Sequence, residues 1–140
     1  MTVDFSLFGA REIAMFDFWS VAHLLWGIVM YPFLRKVFPN VSIKALLILI
    51  VVIAYSWEGT ESSMERGLWG DAISVWKHGA EHWSNRFISD PLLALLGGFI
   101  STKKQKLWIW VIVPLAGWVL ANYMAPNSMF IQELILGLFH

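Results

Sequence analysis

The chain has 140 residues, 58% hydrophobic and 14% charged, with ten basic side chains against ten acidic ones and no net charge. Ordinary soluble domains carry about 25% charged residues, and a soluble domain this small could not hide so much apolar surface; the composition excludes a disordered chain and points to an integral membrane protein. The neutral total argues against a nucleic-acid binder, and the lack of cysteine removes disulfides, thiolate metal sites and cysteine nucleophiles.

A helix needs about 20 mostly apolar residues to cross a bilayer. Residues 1–15 mix Phe5, Phe8, Ile13 and Met15 with Asp4, Arg11 and Glu12 and read as an interfacial piece. They do not match a secretory signal peptide, which has a basic start and a long apolar run. The first predicted span is 16–34, closed by Arg35 and Lys36. The second is 43–61, which is wholly apolar from Ala45 to Ala54 and then runs through Trp57 into Glu58 and Glu61. Over 72–86, Ile73, Trp76, Ala80 and Trp83 recur at steps of three and four opposite Lys77, His78, Glu81, His82 and Asn85. That spacing predicts an amphipathic helix lying in the interface. The third span, 87–101, is short, carries Asp90, Pro91 and Gly97-Gly98, and is expected to begin before Phe87. The fourth is 107–124, closed by Pro126 and Asn127; the apolar tail 129–140 is too short to span. The expected fold class is therefore all-α: one membrane domain over 1–140, a four-helix bundle with an interfacial helix between the second and third spans.

Three Lys or Arg lie in 35–44 and three in 101–106. Positive residues mark cytoplasmic loops, so both termini and the connection 62–86 are expected on the far side of a bacterial inner membrane. With that topology the polar residues fall at one depth. The first helix brings Asp17, Ser20 and His23 onto one face, with His23 roughly 9 Å deeper than Asp17. The second ends in Glu58, Glu61 and Glu65, and the third enters with Asn85, Ser89 and Asp90. Charge inside a bilayer costs several kcal/mol unless it is paired or hydrated. An outward-facing cavity built on His23, Glu58, Glu61 and Asp90 is one reading; mutual pairing that only fixes helix packing is the other. Glu65 and Asp71 read as solvated loop residues.

His78, Glu81 and His82 have the H-x-x-E-H spacing of an inverted metalloprotease site. Two His four apart can ligate one divalent metal, with the Glu as general base, and Glu58 or Glu61 would supply a third ligand. His23 is also placed to be an axial ligand to haem or pigment, although aromatic belts account for most of the nine Trp without a cofactor.

The order Phe18-Trp19-Ser20-x-x-His23-x-x-Trp26-Gly27, then Trp57-Glu58-x-x-Glu61, then Ser89-Asp90 before a Gly-ending apolar run, resembles a group of small bacterial inner-membrane proteins related in pattern to the VanZ-like proteins. The likeness spans roughly residues 16–138. It departs at Ser62, where the pattern has Asn, and at Glu81-His82-Trp83, where it has a Gly-Asp-Ser step. The resemblance implies a multi-span architecture and a shared polar constellation at the cell envelope more than it implies a reaction. The reading that follows is a site acting on or binding an envelope lipid or lipid-linked precursor, with His23 exchanging the proton. Its competitors are a non-catalytic subunit of a larger membrane complex, pigment- or haem-associated or neither, and a metal-dependent hydrolase using 78–82.

The topology is open to direct measurement because the chain has no cysteine of its own. An impermeant maleimide is expected to label Arg66→Cys on intact cells, and Lys104→Cys only after permeabilisation. The reverse pattern would invert the orientation.

Overall fold

The computed structural model describes residues 6–9, 12–70 and 81–124. Among them the chain is mostly helical, with four long helices and a small two-stranded ribbon. The ribbon pairs β1 (Ser6–Phe8) with β2 (Ala14–Phe16) in parallel, Ser6 opposite Ala14 and Phe8 opposite Phe16. The Phe8 and Phe16 rings stack at 5.5 Å. The described part of the N-terminal segment is thus strand where an interfacial piece was expected.

Helix α1 (Phe18–Val37) starts where Asp17 leaves the strand. The Ser20 amide donates to Asp17 Oδ1 at 2.9 Å, and the Asp17 amide donates to Ser20 Oγ at 3.2 Å. This reciprocal cap satisfies two of the amides that a helix start leaves unpaired. At the other end Arg35 donates to the carbonyls of Pro39 and Val41 at 3.1 and 2.7 Å, placing a cation where the helix dipole favours one. Helix α2 (Ile43–Glu65) is capped by Ser42, whose hydroxyl accepts from the Ala45 amide at 3.2 Å. Its buried residues are Leu46, Ile50, Ala54, Glu58 and Glu61. They recur at fours and a three, so one seam runs unbroken from aliphatic to acidic.

The third span begins before Phe87, as expected. Helical structure starts at Trp83 and passes through one wide turn, Asn85–Ser89, before α3 (Asp90–Lys103). In that turn the Asp90 amide reaches back five residues to the Asn85 carbonyl, the bonding of a π-helix. Residues 83–86 therefore belong to the third helix and not to a separate interfacial one, while 71–80 lie outside the described residues. Helix α4 (Leu107–Met124) completes the bundle within the predicted bounds; the tail 129–140 is also outside the described residues.

Helix α3 packs most extensively on α1, then on α2, and α4 leans on α1. The α1–α3 crossing is close because both helices are bare there. A Cβ on Gly27 would collide with the Ala94 carbonyl, and one on Gly97 with the Leu24 carbonyl. Tyr31, Leu34, Leu46, Ile50, Ala54 and Ala94 fill the core below this crossing. Outward faces stay apolar: Ile48, Val52, Leu92, Phe99, Trp110 and Val113 are all exposed. One described helix, Ile43–Glu65, is long and apolar enough to cross a membrane by length and composition.

Gly27→Ala forces backbone apart and should cost about 1–3 kcal/mol, the usual range for overpacking, read as a lowered unfolding midpoint in detergent. Gly59→Ala meets nothing within 4 Å and should be neutral or stabilising by up to about 1 kcal/mol.

Candidate functional site

The acidic end of the α2 seam meets the first turns of α1 and the wide turn that opens the third helix. The wide turn puts Asn85, Arg86, Ser89 and Asp90 together on the buried side, and Tyr55 Oη holds it by donating to the Phe87 carbonyl at 2.9 Å. His23 sits between two carboxylates. Its Nε2 is 3.4 Å from Glu58 Oε1 and 3.3 Å from Asp90 Oδ2. Glu58 is wholly buried and Asp90 is 1% exposed, while His23 keeps 13%. The Ser20 hydroxyl lies 2.9 Å from Asp90 Oδ1 and 2.9 Å from Asn85 Oδ1. The residue that caps α1 therefore also orients the far oxygen of Asp90.

A second group lies alongside. Arg86 donates to Glu65 Oε2 at 2.6 Å and to Glu81 Oε2 at 3.2 Å, and its Nε is 3.8 Å from Glu58 Oε2. Glu61 completes this group with Glu65 and Glu81. Arg86 is the one Lys or Arg buried among the described residues. The ion pairs with Glu65 and Glu81 offset the cost of burying its charge. The guanidinium faces Glu65, Glu81 and, at longer range, Glu58, while His23 faces Glu58 and Asp90, so Glu58 is shared between the two groups.

Of the residues expected at the site, His23, Glu58 and Asp90 come together, whereas Glu61 turns to the arginine side. Two groups could hold a metal ion, His23–Glu58–Asp90 and Glu61–Glu65–Glu81, each with ligand atoms within 4.8 Å of one another. In the H-x-x-E-H segment His78 lies outside the described residues. Glu81 joins the arginine group, while His82 Nδ1 is 2.7 Å from Ser84 Oγ and its ring lies beside Trp83. Glu81 and His82 thus serve different neighbours.

Glu65 corrects the sequence reading: its side chain is 7% exposed and ion-paired, not solvated. Arg86 was missed. The available signal was its place four residues before Asp90, one helical turn away, on the side where the acids gather. No family model matches the chain, and neither a curated relative nor a solved structure does.

Arg86→Met leaves Glu65 and Glu81 buried without their cation and should destabilise the fold by about 3–5 kcal/mol at neutral pH. Lys103→Met, at an exposed site, should stay within about 0.5 kcal/mol of the parent. Unfolding curves at neutral pH check both.

Proposed function

We propose that the chain is a multi-span protein of a bacterial cytoplasmic membrane, and that His23, Glu58 and Asp90 form an acid–base centre working on the polar end of an envelope lipid or lipid-linked precursor. The observation that carries this reading is the meeting of three side chains from three helices, at 3.3 and 3.4 Å, in a place where two are almost fully buried. Imidazole is the side chain that exchanges protons near neutral pH. Glu58 and Asp90 flank its ring, and Ser20 fixes Asp90.

The membrane reading is supported by the distribution of polarity. Among the described residues, buried polar and charged side chains are as numerous as buried hydrophobic ones, and large apolar side chains face outward on α2, α3 and α4. A water-soluble fold does the opposite, and intramembrane ionisable groups mark function by default. The centre lies well away from the basic ends of the helices: Arg35 is 12 residues, so roughly 18 Å, along α1 from His23. That separation, with the basic ends taken as cytoplasmic, supports a centre that faces outward.

Deleting the gene in its host should make one envelope lipid or lipid-linked species accumulate, seen by mass spectrometry of lipid extracts. The parent gene should reverse this. His23→Ala and Glu58→Gln should not, while reaching normal levels in the membrane. Full reversal by His23→Ala would overturn the acid–base role. Unchanged lipids, with the protein recovered in a stable hetero-complex, would favour an accessory subunit instead.

A further inference from the structure

We infer that His23, Glu58 and Asp90 are the protein ligands of one divalent metal ion of the zinc class, with a fourth position left for water or substrate. The distances carry the inference. A charged imidazole bonded to a carboxylate has its nitrogen about 2.7–2.9 Å from the oxygen. Here one nitrogen, Nε2, is 3.4 Å from Glu58 and 3.3 Å from Asp90, long for both, and an Nε2–H can point at only one. Zinc holds His nitrogen and carboxylate oxygen at about 2.0–2.1 Å in a tetrahedron, which sets neighbouring ligand atoms about 3.3–3.4 Å apart. Both measured separations equal that edge.

The charges agree. A neutral imidazole with two ionised carboxylates presents two negative charges to a divalent ion, and Arg86 Nε, 3.8 Å from Glu58 Oε2, offsets part of one of them. The outer contacts agree as well. Each carboxylate turns one oxygen to His23 and gives the other to a second partner: Asp90 Oδ1 takes the Ser20 hydroxyl, and Glu58 Oε2 faces Arg86. This division of labour is how metal-ligating carboxylates are held.

An independent sign of a ligand lies across Ser20. Asn85 is fully buried, and its Nδ2 has no hydrogen-bond partner among the described residues, although its Oδ1 shares the hydroxyl that orients Asp90. A buried amide donor left open beside the centre fits a bound water or substrate oxygen. The Glu61–Glu65–Glu81 group does not compete, because the Arg86 guanidinium already fills it as its cation. The imidazole favours zinc and its first-row neighbours over magnesium or calcium.

The inference rests on the proposed reading and revises one role in it: His23 Nε2 would hold the metal, and a water at the fourth position would exchange the proton; it is tested without any assay of lipid chemistry. The protein, purified in detergent without a histidine tag and stripped with chelator, is titrated with zinc and with cobalt(II). About one equivalent should bind, and cobalt should give the intense visible bands of a tetrahedral site. These readouts need no variant, so a variant that fails to fold does not spoil the test. His23→Ala and Asp90→Asn should weaken binding at least tenfold, and Ser20→Ala should weaken it less. Glu61→Gln and His82→Ala should leave it unchanged. Failure of the parent protein to bind either ion overturns the inference, as does loss of the cobalt bands in His82→Ala but not in His23→Ala. A metal-free protein whose deletion still changes envelope lipids sinks only the metal. A metalloprotein whose deletion leaves lipids unchanged sinks only the lipid.

Discussion

Two carboxylates, Glu58 and Asp90, are buried on different helices against one imidazole, and the rest of the structure is arranged around that placement. Charged groups taken from water need a close partner of opposite charge and hydrogen bonds to their remaining lone pairs. Each helix is therefore constrained at the site end. Helix α1 is started by Asp17, whose cap fixes Ser20, which in turn orients Asp90. Helices α1 and α3 must touch backbone to backbone at Gly27 and Gly97 if His23 and Asp90 are to meet. Helix α2 contributes Glu58 by continuing the seam that packs Leu46, Ile50 and Ala54. Capping, close packing and the buried His23–Glu58–Asp90 cluster are one connected arrangement.

The wide turn at Asn85–Ser89 is the local feature that makes this possible. An ordinary α-helical turn would spread Asn85, Arg86, Ser89 and Asp90 over a broader arc. With the Asp90 amide bonded five residues back, the polar residues share the buried side and Arg86 reaches Glu65 and Glu81. Such turns interrupt helices often at functional sites. Here the turn splits the acids into two neighbourhoods with different cations, a permanent guanidinium for one and a proton-exchanging imidazole for the other. Arg86 pairs with Glu65 and Glu81 in one half, whereas in the other a single imidazole nitrogen stands between two carboxylates at 3.3 and 3.4 Å, which is why the proposed chemistry is placed on that half.

The outward surface carries the opposite character. Exposed Ile, Val, Leu, Phe and Trp side chains cover α2, α3 and α4, and the basic residues collect at the far ends of α1 and α3. The neutral total of the chain hides this polarity. Acids, His23 and Arg86 gather at one end of the bundle, and Arg35 with the described lysines at the other.

Much of this was legible in the sequence because helical periodicity and apolar length are local properties. The start of the second helix, the bounds of the fourth, the shared face of Ser20 and His23, and the early start of the third helix all follow from spacing along one segment. His23, Glu58 and Asp90 could be grouped because three helices each offered one such residue at the same depth. The partition of the acids could not be read that way. Whether Glu61 faces His23 or Arg86 depends on a rotation set by a wide turn in another helix, and Glu65 looked solvated because its partner lies 21 residues away. The short β1–β2 pair likewise rests on contacts between separate segments. The sequence by itself determined a mostly helical chain with apolar outer faces and ionisable groups at one end, since side-chain chemistry and helical period suffice for that. Only the tertiary structure decided which acid meets which cation, because that choice turns on distances of a few ångströms between helices.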